Sequence, residues 1–181
     1  MKIFVDALSD ELLEACKTDL VSNKIKEAVW GSSLFNWETD LLKNIDGPCM
    51  TTPITNESIV ERLEKELSVI FKNYNYNSLS FQYYIWNSYS GISLHTDEYC
   101  PETNEDYVFG AVLYLNTNSV HDGGLFMWKT EEDYENEIDF FKCLVPEENL
   151  IIVNNEKELH MVTPISPHAK DFRCTIQIFA T

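Results

Sequence analysis

From Leu79 to the C-terminus the chain is written in short strands. Segments 80–86, 107–115, 125–128, 139–145, 150–153, 160–162 and 172–179 are rich in β-branched and aromatic residues and are parted by Gly, Pro, Asn and acidic turns. So many short strands in succession need two packed sheets, a jelly-roll or a related closed β architecture, to bury their apolar faces. No G-x-G-x-x-G, P-loop or internal repeat interrupts the pattern, which sets aside a dinucleotide-binding fold and a solenoid.

The first part of the chain has another period. Residues 1–7 suit a short strand, Ser9 or Asp10 can cap a helix, and Leu12, Leu13, Cys16 and Leu20 recur at helical spacing. A second helix is expected over 56–73, where Ile59, Leu63, Leu67 and Ile70 form one stripe. Between them, 30–50 is aperiodic and reads as an excursion. The expectation is a mainly β (α+β) protein: one domain over 1–181, with a helical support region at 1–78 bracing a β core at 79–181.

At 181 residues, 44% of them hydrophobic, the chain can bury a core without disulfides or a structural zinc. Its five cysteines (Cys16, Cys49, Cys100, Cys143, Cys174) are odd in number, spread out and free of any C-x-x-C pair. They suit small apolar fillers in a reducing compartment better than a disulfide framework or a zinc ribbon. No run is apolar enough to span a bilayer, and residues 1–6 lack a signal peptide's apolar region, so a soluble, cytoplasmic protein is expected. Thirty acidic against thirteen basic residues leave a formal charge of −17, which disfavours nucleic acid and anionic membrane surfaces as partners.

Against this background His95 and Asp97, two apart, would share one face of an extended strand. A third donor from elsewhere, His160, would close one face of a metal, the two-histidine, one-carboxylate arrangement of non-heme Fe(II) oxygenases. H-x-D alone is a weak signal, and the same donors can bind zinc, so a zinc hydrolase and a non-catalytic binding barrel are alternatives. His121 and His168 fall in turn-like segments and read as solvated. Strand parity adds a second element: Arg173, Thr175 and Gln177 share one face, Cys174, Ile176 and Ile178 the other, and Tyr114 lies opposite Leu113 and Leu115. An arginine and a tyrosine inside a barrel need a partner, and a bound carboxylate would supply one.

In these residues the chain resembles the Fe(II)- and 2-oxoglutarate-dependent dioxygenases, and among them the prolyl 4-hydroxylase-like branch. The resemblance runs from Phe81 to Thr181: His95-Thr96-Asp97, the strand Val112 to Asn116, the Gly123-Gly124 turn, His160 to Pro164, and Arg173 to Phe179. It implies a double-stranded β-helix with N-terminal helices on the larger sheet, and Fe(II) held by His95, Asp97 and His160. It also implies 2-oxoglutarate held by Arg173 with Tyr114 and Thr175, O2 as oxidant and ascorbate as a reductant. Tyr84 is a further candidate cosubstrate contact and Trp86 a pocket wall, while 86–91 departs in register from the branch's Tyr-x-x-Gly pattern and leaves Tyr89 as another candidate. Retention of Asp97 points to hydroxylation rather than halogenation. The implied reaction hydroxylates an unactivated C–H bond, most simply of a prolyl residue in a protein or peptide, and yields succinate and CO2. Acidic stretches 98–106 and 131–139 would favour a basic peptide if they rim the entrance; free amino acids and other small molecules are alternative substrates.

Overall fold

The computed structural model describes residues 1–27, 38–39, 45–46, 49–97, 99–100, 105–116, 123–136, 141–155 and 157–181. After strand β1 (Lys2–Phe4) comes helix α1 (Asp10–Glu27). Ser9 is its cap: Leu12 N donates to Ser9 Oγ at 3.3 Å and Leu13 N to Ser9 O at 2.9 Å. Helix α2 (Glu57–Phe71) buries Ile59, Leu63, Leu67 and Phe71. The expected stripe is therefore corrected at its end, where Phe71 replaces Ile70. The aromatic ring reaches Phe109 of the sheet at 4.7 Å between centroids, and Ile70 stays at the margin.

Two antiparallel sheets form the β core. In the larger, the spatial order is β1, β12 (Ile151–Asn155), β9 (Phe109–Tyr114), β14 (Arg173–Ala180), β5 (Leu79–Trp86), β4 (Cys49–Pro53) and β2 (Glu38–Thr39). The smaller runs β11 (Lys142–Leu144), β10 (Phe126–Trp128), β13 (His160–Val162), β6 (Gly91–His95) and β3 (Ile45–Asp46). A short pair, β7 (Tyr99–Cys100) with β8 (Glu105–Asp106), stands apart, and a single-turn helix α3 (Glu131–Glu135) precedes β11. Three strands, β2, β3 and the start of β4, come from the stretch expected to be an excursion, and the segment before residue 79 supplies strands to both sheets as well as helices. Most of 30–48 lies outside the described residues.

Period-two alternation sorts the larger sheet into two faces. Phe81, Tyr83 and Ile85 of β5 and Ile176 and Ile178 of β14 pack against Leu12, Leu63 and Leu67 of the helices. On the opposite face Val112, Tyr114 and Ile152 meet Phe126 and Val162 of the smaller sheet, so the two sheets enclose an interior between them. This is the jelly-roll arrangement expected, with both helices on the outer face of the larger sheet. Cys16, Cys49 and Cys174 are buried and Cys143 is exposed, and none of these four is in a disulfide. No described helix is long and apolar enough to cross a membrane.

Candidate metal centre

β13 pairs antiparallel with β6, and the register sets His160 directly opposite His95, their rings 4.2 Å apart between centroids. The motif strand ends there. β6 stops at His95, so Asp97 is not on the strand with it, as first expected, but two residues beyond its end. Its carboxylate nonetheless turns back between the two rings: Oδ1 lies 3.5 Å from His95 Nε2 and Oδ2 3.5 Å from His160 Nε2. One donor atom from each of the three residues falls within 4.8 Å of the others, close enough to share one ion.

Both imidazoles are held the same way. His95 Nδ1 is 2.8 Å from the carbonyl of Ser93, and His160 Nδ1 is 2.8 Å from that of Glu158. A carbonyl only accepts, so each Nδ1 carries the proton and each Nε2 turns its lone pair toward Asp97. Burial disfavours the His95 cation, but the Asp97 carboxylate outweighs it and leaves His95 above its ordinary value. His160, buried and stacked on Phe126 at 5.5 Å, is pushed down to about 4 by desolvation, which Asp97 only partly offsets. Burial opposes ionisation of Asp97, yet the two histidines hold its carboxyl below the usual range. At neutral pH the cluster therefore offers a carboxylate and at least one neutral imidazole, a donor set suited to a borderline divalent cation.

The second element lies on the larger sheet. Arg173, at the start of β14, is 1% exposed, and its guanidinium carbon sits 4.5 Å over the Trp86 ring and 5.8 Å from that of Tyr114. Among the described residues its one hydrogen bond is from an η-nitrogen to Gly124 O at 3.3 Å, and Nε–H has no partner. The neighbouring Tyr114 hydroxyl is likewise buried and without a partner among the described residues, its pKa pushed up to about 12 by desolvation despite the arginine. Among the described residues no carboxylate reaches this cation. Two neighbouring buried donors, Arg173 Nε–H and the Tyr114 hydroxyl, are thus without an acceptor among the described residues.

Thr175 stands between Tyr84 and Tyr114 as the register partner of each, and its Oγ accepts Trp86 Nε1–H at 3.1 Å. Tyr84 stacks on Trp86 at 5.6 Å, which brings it into the same wall. Tyr89 is 64% exposed and takes no part. His168 is exposed, and His121 lies outside the described residues.

Sequence patterning missed two residues here. Asn154 on β12 is buried, with Nδ2 3.3 Å from His160 Nε2 and 3.5 Å from Asp97 Oδ2. Gly110, its register partner on β9, has room for no side chain: a Cβ would stand 2.4 Å from Asp97 Oδ2. A glycine inside a strand is a legible mark of close approach; Asn154 carried no such mark.

No protein-family model and no curated protein matches the sequence. Solved structures do match. A prolyl-4-hydroxylase of Pseudomonas putida aligns at a TM-score of 0.68 and 13% identity, over 99% of this chain and 90% of that one. A prolyl hydroxylase of Trichoplax adhaerens, in complex with a hypoxia inducible factor peptide fragment, aligns at 0.67 and 14% identity, over 99% and 82%. HygX of Streptomyces hygroscopicus, with nickel and 2-oxoglutarate bound, aligns at 0.64 and 11% identity, over 98% and 81%. At these identities the likeness is one of fold: the chain has the double-stranded β-helix of the 2-oxoglutarate-Fe(II) oxygenases.

Proposed function

We propose that the protein is an Fe(II)- and 2-oxoglutarate-dependent oxygenase. The observation that carries this is the pairing of two features across one interior. A two-histidine, one-carboxylate cluster lies on the smaller sheet, and a buried arginine with no anionic partner among the described residues lies on the larger. A structural zinc site would account for the first alone. A dicarboxylate spanning the interior accounts for both, its keto-acid end at the metal and its distal carboxylate at Arg173.

His95, Asp97 and His160 would hold the iron on one face. Arg173 and Tyr114 would anchor the distal carboxylate by charge-assisted hydrogen bonds, with the Thr175 hydroxyl beside them, and Trp86 and Tyr84 would keep water from that end. When bound, the iron and cosubstrate supply the oxidation: O2 is consumed, 2-oxoglutarate loses CO2 to give succinate, and a C–H bond of the substrate becomes C–OH. The chain's own contribution is to place the reactants and to exclude solvent. Because α1 and α2 share one core with the sheet that carries Arg173, residues 1–181 would act as one catalytic domain. For the substrate we favour a prolyl residue of a protein or peptide, supported by the fold shared with prolyl hydroxylases and by the peptide bound to one of them.

Purified protein given Fe(II), ascorbate, 2-oxoglutarate and O2 should form succinate, and His95→Ala, Asp97→Ala or His160→Ala should abolish it. Wild-type rates in His160→Ala would overturn the assignment. Mass spectrometry of candidate peptides for the gain of one oxygen at proline tests the substrate.

A further inference from the structure

Each histidine of the cluster is anchored through its Nδ1 to a backbone carbonyl, but among the described residues no backbone group tethers the Asp97 carboxylate in the same way. It lies past the end of β6, where no ladder hydrogen bonds fix its backbone. A carboxylate so placed could present either oxygen, or both, to a cation. What constrains it comes from the larger sheet across the interior. Asn154 and Gly110 are register partners on β12 and β9, both on the face turned inward. The Asn154 amide nitrogen reaches Asp97 Oδ2 at 3.5 Å, and the bare Cα of Gly110 lies where any Cβ would be 2.4 Å from the same oxygen.

Resting on the oxygenase reading above, we infer that Asn154 and Gly110 form a socket for Asp97 Oδ2. They are positioning residues that orient the carboxylate so that Oδ1, the oxygen nearer His95, is the one offered to the metal. The amide also touches His160 Nε2 at 3.3 Å, but a lone pair given to a cation no longer accepts a hydrogen bond. Asp97 Oδ2 is then the acceptor left to the amide. Local stability does not explain the asparagine: it is 3% exposed and its Oδ1 is buried without a partner among the described residues, a desolvation cost that an apolar residue would avoid. Nor is Gly110 required by its own backbone, since the described non-left-handed strand admits any residue.

The test uses Co(II) alone as probe, by calorimetry and by the visible absorption of the bound ion. Asn154→Ala and Gly110→Ala should each weaken Co(II) binding by about 10- to 100-fold, as loss of a supporting hydrogen bond to a metal ligand does elsewhere. They should also change the absorption band, while the metal-free melting temperature holds or rises in Asn154→Ala and falls only slightly in Gly110→Ala, whose Cβ displaces the end of the Asp97 side chain. Binding within twofold of wild type in both overturns the inference. Asn154→Asp keeps the shape and replaces the donor by a charge that repels Asp97, so it should bind more weakly too. Tighter binding in that variant would make residue 154 a ligand and overturn the positioning role; being isosteric, it decides the matter if Asn154→Ala does not fold. A wild-type protein that binds no Co(II) overturns the metal assignment itself, which is a separate failure.

Discussion

Replacing Arg173 by methionine separates a ligand-binding arginine from a structural one by its effect on stability with and without 2-oxoglutarate. The guanidinium is 1% exposed and, among the described residues, has an unpartnered Nε and a single hydrogen bond at 3.3 Å. Burial pushes its pKa below the ordinary guanidinium value, and Tyr114 only partly restores it. Leaving such a donor unsatisfied costs about 1–3 kcal/mol. Against this stands the stacking on Trp86 at 4.5 Å, for which a cation–π contact contributes about 0.5–2 kcal/mol. Methionine removes both and still packs on the indole, so the net change falls between about −1 and +2.5 kcal/mol in favour of the variant. At about 2–4 °C per kcal/mol for a chain of this size, the melting temperature of Arg173→Met should lie between about 4 °C below and about 10 °C above that of the wild type. Addition of 2-oxoglutarate should set the wild type above the variant. At roughly 100 times its Kd, with Mn(II) present in place of Fe(II) to prevent turnover, the wild type should gain about 2.7 kcal/mol, or about 5–11 °C. The variant should gain almost nothing from the dicarboxylate. Differential scanning fluorimetry with and without 2-oxoglutarate reads both arms. A ligand-free variant destabilised by more than about 1 kcal/mol would mean that the guanidinium has a structural partner, and a retained 2-oxoglutarate shift would mean that the anion binds elsewhere.

Tyr114→Phe deletes the other orphaned donor: calorimetry should show 2-oxoglutarate bound about 10- to 100-fold more weakly, from the loss of a hydrogen bond to a charged group worth about 1.5–3 kcal/mol, with no loss of ligand-free stability. Metal affinity should depend on pH through His95, whose pKa is raised: the metal needs the neutral ring, so Mn(II) affinity is level above that pKa and falls tenfold per unit as pH drops below it. The slope should steepen only near 4, where His160 begins to take a proton, and an affinity unchanged down to pH 5 would contradict the ligand set. Leu63→Ala, at a fully buried position between α2 and the larger sheet, should cost about 2–5 kcal/mol in urea unfolding while leaving the metal affinity of the folded protein unchanged.

Parity was legible along every long strand because it is a local property: neighbouring side chains point to opposite faces whatever the strand pairs with. The alternation in Arg173 to Ile178 was therefore enough to put Arg173 and Thr175 inside and Ile176 outside, and the same logic placed Tyr114 and Tyr84. Helical spacing similarly located α1 and α2. The family likeness of His95, Asp97, His160 and Arg173 could be read from their order along the chain. What could not be read was which residues face one another across the interior, since register and sheet order are set by contacts between distant segments. Only the fold recruited β2, β3 and β4 from an aperiodic stretch into the two sheets. Only the fold carried Asp97 beyond its strand and set Gly110 and Asn154 against it. It also left Arg173 facing Tyr114 with no acid beside it among the described residues, because burial and partnership arise when remote strands close over one another.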